Sequence, residues 1–231
     1  MITVAMLGQK GGSGKSSAAR LLAVELARRG RKVVIVDLDV RQRTVSEWSQ
    51  ARALNDLSPP MEVVLVDHEA EPDFRLSELA HDGADVVVAD APGWIDAALV
   101  TLAHRAHMSI IPTSCSEDEL RPAIRLYHDL VADGVDPARL CFLLNRVGTG
   151  AESKRARSKI AEGEVPESAV CRGELPELPI YRAGHDGGQA ASEVSSKSPR
   201  DTAAALAAEL IERMDKLQPS AAPKRFTATT W

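Results

Sequence analysis

Short, solid apolar runs alternate along this chain with longer stretches whose apolar side chains return every three or four residues. Residues 2–7, 32–36, 61–66, 84–89, 108–111 and 140–144 are runs of the first kind, and 168–171 is a shorter one. Continuous β-branched and aliphatic runs of this length predict strands covered on both faces. Residues 16–29 have the helical spacing, with Ala19, Leu22, Ala23, Leu26 and Ala27 on one face and Gly30 as the stop. Further helices are expected over 44–54 (broken by Ser58-Pro59-Pro60), 74–81, 94–104, 117–132 with Ser116 as cap, 152–161 and 199–217. Pro112 is expected to close the fifth strand, and 173–188 reads as a loop rich in Pro and Gly. Strands alternating with helices predict an α/β protein: a doubly wound, mostly parallel sheet with helices on both faces. One domain is expected over 1–217, followed by a flexible tail over 218–231.

In such a sheet ligands bind outside the carboxyl ends of the strands. The polar residues gather there: Lys10 to Ser16 after the first strand, Asp37 and Asp39 after the second, Asp90 after the fourth, Asn145 after the sixth. The stretch Gln9-Lys10-Gly11-Gly12-Ser13-Gly14-Lys15-Ser16-Ser17 joins a strand to a helix N-terminus. Gly11, Gly12 and Gly14 let the backbone turn so that successive N–H groups face inward as an anion nest, with the helix dipole behind them. Lys15 is placed to reach β- and γ-phosphates, and the Ser16 hydroxyl to ligate Mg²⁺. The run 86–89 ending in Asp90 adds an apolar strand followed by a carboxylate suited to hold Mg²⁺ through water.

Composition narrows the partners. A net charge of −5 excludes a uniformly basic nucleic-acid binder and leaves room for a local basic patch. Aromatic residues at 3% argue against base-stacking platforms. With 44% hydrophobic and 26% charged residues, the expectation is an ordinary globular protein. Cys115, Cys141 and Cys171 are odd in number and far apart, which suits a reducing cytosol better than a disulfide framework. The opening residues lack a charged n-region, and no run approaches the ~20 apolar residues of a membrane span, so a cytoplasmic protein is expected. His104 and His107 stand at i, i+3 without a Cys or carboxylate set to complete a metal site.

The phosphate loop has Gln9 where the common expression needs glycine, and a second lysine, Lys10, ahead of the glycine pair. That pattern, K-G-G-x-G-K-[ST], resembles the deviant Walker A motif of the ParA/MinD family of ATPases. Asp37-Leu38-Asp39 resembles the family's strand-2 D-x-D, though Val40-Arg41-Gln42 stands where the family usually has Pro-Gln; Asp90-Ala91-Pro92-Gly93 resembles its D-x-P-G. The resemblance implies ATP hydrolysis with ATP and Mg²⁺ as cofactors. Residues 10–17 (Lys10, Gly11, Gly12, Ser13, Gly14, Lys15, Ser16, Ser17) would cradle the nucleotide, Asn145 would contact adenine, and the proline-rich 175–179 would wall the base. Ser16, Asp37 and Asp90 would serve the metal and Asp39 would orient the attacking water. Lys10 would cross to the phosphates of a second subunit in an ATP-sandwich homodimer.

The same resemblance implies a nucleoid-associated bacterial partition ATPase. It would bind DNA nonspecifically through basic residues such as Lys154, Arg155, Arg157 and Arg182, and a small centromere-binding or adaptor protein would stimulate it. The start of the loop at residue 9 suits the small type without an N-terminal DNA-reading domain. A MinD-like membrane switch should end in a basic amphipathic helix, whereas 199–217 carries Glu209, Glu212 and Asp215. Leu206, Leu210, Ile211, Met214 and Leu217 on that helix read as core. A metabolic or iron–sulfur relative would need cluster cysteines in another arrangement.

Overall fold

A computed structural model describes residues 1–67, 82–94 and 97–217. Among these residues seven strands form one sheet: β1 (Ile2–Met6), β2 (Val33–Asp37), β3 (Glu62–Leu65), β4 (Val86–Asp90), β5 (Met108–Thr113), β6 (Leu140–Val147) and β7 (Leu175–Pro176). Their order is β3-β2-β4-β1-β5-β6-β7, and every pairing is parallel. The solid apolar runs are the buried middle of this sheet: β2, β4 and β5 have no exposed residue, whereas edge strand β3 is only half-buried.

Among the described residues seven helices accompany the strands: α1 (Lys15–Arg28), α2 (Thr44–Leu54), α3 (Ala97–Arg105), α4 (Glu117–Ala132), α5 (Gly150–Glu162), α6 (Pro179–Asp186) and α7 (Lys197–Lys216). The pleat of β1 divides the core. Val4 and Met6 face a cluster with Leu22 of α1, Trp48 of α2, Tyr181 of α6 and Leu206, Leu210, Ile211 and Met214 of α7. Ala5 and Leu7 face a second cluster with Leu99 of α3, Leu126 of α4 and Ile160 of α5. The doubly wound arrangement is therefore as expected, and the last helix spends its apolar face on the core.

Several details differ from the sequence reading. Pro112 lies inside β5; β1 pairs with β5 only as far as Met6↔Ile110, so the missing N–H of Pro112 breaks no bond to β1. Residues 168–171 are not a strand: a single 3-10 turn, Glu167–Ala169, follows Pro166, and only Val170 bridges to Phe142. The stretch 173–188 is no plain loop, since it contains β7 and α6, the latter started by Pro179 at its first turn, where proline's missing N–H costs nothing. Ser116 occupies the N-cap position of α4 without capping it, its hydroxyl standing 3.1 Å from that of Ser114. The helix expected over 74–81 and the tail 218–231 lie outside the described residues.

One buried ion pair ties α2 to the 3-10 turn Ala191–Glu193. Arg52, 1% exposed, meets Glu193 through two bonds of 2.6 and 2.9 Å and also donates to Pro59 O and Gly188 O. Removing one partner of such a pair strands a buried charge. Glu193→Ala is expected to destabilise the fold by ~3–5 kcal/mol, whereas the double change Arg52→Met/Glu193→Leu costs less. Denaturant unfolding checks this; equal losses for the two variants would mean that the pair's charges are not what matters.

Candidate functional site

The site is built where β1, β2 and β4 end side by side. The turn after β1 uses left-handed backbone at Gly12 (φ 81°) and Gly14 (φ 100°), and Gly14 is the N-cap of α1. No side chain caps that helix, so its first N–H groups stay available to an anion. Lys15 is buried, and its Nζ donates to Lys10 O at 2.8 Å, which folds the loop over the ammonium. Burial pulls the Lys15 pKa down; the charges of Asp90, Asp39 and Glu119 hold it up. The Lys10 side chain is exposed.

Parallel pairing sets Asp37 and Asp90 in register on neighbouring strands. Their environments differ. Asp37 is fully buried and acts on α2: its Oδ2 accepts from Ser46 N (3.0 Å) and Ser46 Oγ (2.9 Å), its Oδ1 from Asp39 N (3.2 Å). It supplies the cap that Arg43, in the left-handed region at φ 50°, does not. Asp90 is also buried, and its Oδ1 has no hydrogen-bond partner. Burial pushes the Asp90 carboxyl up to about 7; hydrogen bonding from Ser16 opposes this, the charge of Asp37 adds to it, and Lys15 and Arg20 oppose it. An orphaned carboxylate oxygen beside a serine hydroxyl is a hard-oxygen donor set of the kind Mg²⁺ takes, completed by phosphates and water. Among the described residues no group of three or more His, Cys, Asp and Glu could hold a metal by itself.

A cavity of about 690 Å³ opens over these residues. Gly11, Gly12, Gly14, Lys15, Ser16, Ser17, Asp39, Asp90 and Asn145 all line it, so most of the expected site residues come together there; Lys10, Ser13 and Asp37 do not line it. Leu175, Pro176, Glu177 and Leu178 form part of its wall, where the base was expected. Asn145 is buried and donates through Nδ2 to Ser13 O at 3.1 Å. Asp39 closes its own turn, accepting from Gln42 N at 3.0 Å.

The basic residues are engaged to different degrees. Lys154 and Arg155 are exposed on α5. Arg157 is engaged in structure, donating to Cys171 O (2.8 Å), Arg172 O (3.0 Å) and Glu174 (3.1 Å). Arg182 lines the cavity, 3.8 Å from Glu177. The histidines are structural: His104 pairs with Asp133 at 2.7 Å, and His107 Nδ1 accepts from Thr3 N at 3.0 Å.

Four further residues belong to the site. Arg20, one turn beyond Ser16 on α1, is buried in the cavity wall, donates to Thr44 O at 2.6 Å and stacks 5.5 Å from the Trp48 ring centre. Its place on the loop-facing side follows from the i, i+4 spacing to Ser16, the one signal in the sequence that points to it. His185 also lines the cavity; burial and then the Arg20 charge pull its pKa down to about 4, so it is neutral at pH 7. Trp94, 37% exposed, lies under the Arg41 guanidinium at 5.5 Å and so joins the segment after β4 to the one after β2. Gly93 packs directly on the phosphate loop: a Cβ there would fall 2.7 Å from Gly11 N and 3.1 Å from Lys10 C. Both are backbone atoms, so Gly93→Ala is expected to displace the loop and to cost ~1–3 kcal/mol of stability in denaturant unfolding. Unchanged stability would mean that the two segments part freely.

Comparison with known proteins agrees with this geometry. The family model described as ATPase MipZ matches residues 2–117, half of the chain. No curated protein matched the sequence. Among solved structures, the cell division ATPase MinD of Pyrococcus furiosus superposes with a TM-score of 0.70 at 22% identity, covering 91% of this chain and 98% of its own. McdA from Cyanothece gives 0.72 at 17% identity, with 91% and 99% covered. A plasmid partition protein of Borrelia burgdorferi, bound to AMPPNP, gives 0.68 at 14% identity, with 92% and 99% covered. At these identities the solved structures speak for the fold, and the family match covers β1 through the start of α4, including both carboxylate strands. The chain belongs to the ATPase MipZ family, within the ParA/MinD-type ATPases.

Proposed function

We propose that this protein is a nucleotide-driven positioning ATPase that binds ATP and Mg²⁺ at the phosphate loop and hydrolyses ATP to ADP and phosphate. The observation that carries the reading is the convergence of buried Lys15, the open N-terminus of α1 and the orphaned Asp90 carboxylate on one cavity. Lys15 balances the β- and γ-phosphates once they replace Lys10 O as its partner. Ser16 and Asp90 would hold Mg²⁺, directly or through water, and the ion supplies charge neutralisation on the phosphates. Asp37, whose oxygens are taken up at α2, orders the segment that carries Asp39. Asp39, at the cavity wall, orients the attacking water and accepts its proton. Asn145 and the wall at 175–178 take the adenine end.

Lys10 acts across a homodimer. Its side chain is exposed at the loop's mouth, while Lys15 already serves the phosphates from within the subunit. Two bound nucleotides bring several negative charges to one interface, and a lysine from each side offsets them, so that dimerisation depends on ATP. The dimer binds duplex DNA without sequence preference, through exposed Lys154 and Arg155 with Arg182, and a small adaptor or centromere-binding protein stimulates hydrolysis. Arg157, engaged beneath α5, contributes less. A membrane-bound cycle of the MinD kind is the other reading, favoured by the superposition on MinD. Against it, the apolar face of α7 is buried in the core.

Lys15→Ala is expected to lose ATP binding in calorimetry; wild-type affinity in that variant sinks the site. Asp39→Ala and Lys10→Ala should both bind ATP, yet Asp39→Ala dimerises with turnover lowered ~10²-fold or more, whereas Lys10→Ala stays monomeric in light scattering. Retained turnover in the first, or dimerisation in the second, removes the role assigned to that residue.

DNA and membrane are separated by retention of the ATP-bound protein on duplex DNA and on anionic vesicles. Duplex retention that falls steeply with salt, and is lost in Lys154→Glu/Arg155→Glu, is the expected result. Vesicle binding without DNA retention favours the membrane cycle.

A further inference from the structure

Strand β6 changes register where it meets β7, between Asn145 and Val147. Within that irregularity Arg146 has φ 56°, in the left-handed region that a non-glycine residue seldom occupies. In a regular strand, residues 145 and 146 would point to opposite faces of the sheet. Here both side chains reach the phosphate loop. Asn145 Nδ2 donates to Ser13 O at 3.1 Å, and Arg146 Nη1 donates to Gly12 O at 2.9 Å. Two consecutive residues of β6 thus hold two consecutive carbonyls of the loop.

The orientation of the loop's N–H groups follows from this. A trans peptide is planar, with its C=O and N–H on opposite sides. Drawing the Gly12 carbonyl toward Arg146 turns the Ser13 N–H the other way, and drawing the Ser13 carbonyl toward Asn145 does the same to the Gly14 N–H. Among the described residues neither N–H has an acceptor within the chain. Contact with Asn145 is tight: a Cβ on Gly14 would lie 1.7 Å from Nδ2. Arg146 is steadied in turn by Glu119 of α4 and Glu177 of the cavity wall, each 3.9 Å away.

We propose that Asn145 and Arg146 are positioning residues that hold the Gly12 and Ser13 carbonyls outward and so keep the loop's N–H groups aimed at the bound phosphates. This deepens the nucleotide-binding reading and rests on it. It assigns Arg146 a role, and it gives Asn145 a function toward the phosphates that does not depend on the base.

The test compares ATP with inorganic tripolyphosphate, a ligand that has no base, in calorimetry at low and high salt. Wild-type protein is expected to bind both. Asn145→Ala and Arg146→Ala should each weaken both ligands by a similar factor, about tenfold or more, which corresponds to ~1.4 kcal/mol. Arg146→Lys, which retains one donor of sufficient length, should recover part of the loss. Through-space attraction between Arg146 and the anion fades as salt rises, whereas the orientation of the loop does not; the loss in Arg146→Ala should persist at high salt. Unfolding midpoints identify any variant that fails to fold, and Arg146→Gln then replaces Arg146→Ala. Three results overturn the proposal: Asn145→Ala weakening ATP while tripolyphosphate is unchanged, the Arg146 variants binding both ligands like wild type, or their loss vanishing at high salt. Wild-type protein that binds neither ligand overturns the nucleotide reading itself, which separates that failure from a failure of the positioning role.

Discussion

Two buried carboxylates, set in register by the pairing of β2 with β4, govern this structure. Placing like charges side by side in a protein interior is costly unless each is compensated. The chain compensates them unequally. Asp37 is satisfied by the N-terminus of α2, through the Ser46 amide and hydroxyl and the Asp39 amide. Asp90 keeps one bare oxygen, with Lys15, Arg20 and Ser16 near enough to affect its charge. The result is a satisfied carboxylate that shapes the backbone and an unsatisfied one that faces a cavity.

The sheet order explains why this occurs where the phosphate loop is. With β4 between β2 and β1, the ends of all three strands converge, and the turns that leave them touch: Leu38 N bonds to Asp90 O, Ala91 N to Met6 O, and Gly93 rests on Gly11. Arg41 over Trp94 adds a contact at the rim. Movement of any one turn is therefore felt by the other two through backbone contacts. A cavity whose lining residues come from three separate strand ends acts as one body for that reason.

Much of this was legible in the sequence. The strands are solid apolar runs because both faces of a parallel sheet are covered, and the loop announces itself because a nest of N–H groups next to a helix needs glycines and a lysine. That Asp39 and Asp90 stand at the cavity was readable from their place at strand ends. What escaped depends on contacts distant in sequence. Asp37 looks like Asp39 on paper; only the packing of Ser46 against it commits it to α2. Arg20 lies among the apolar residues of α1, and its burial depends on Trp48 and Thr44. The stretch after Gly173 read as a loop because Pro176 and Pro179 suggest breaks, yet one occupies a sheet edge and the other starts a helix. Arg157 is basic and lies on a basic helix, but its guanidinium is consumed by the carbonyls after Val170.

The position of β1 in the sheet has a consequence for how the molecule is made. Its partners are β4 and β5, with pairings such as Ile2↔Val86 and Val4↔Met108, and the groups that fasten its loop come from Asn145 and Arg146. β1 thus leaves the ribosome before either of its partners, and its apolar surface waits unpaired until β4 and then β5 have been synthesised. During that interval the glycine-rich turn has no wall behind it and no fixed shape. Any ligand of the loop is accordingly a ligand of the finished sheet: it can hold the completed molecule together, but it cannot guide the growing chain toward it.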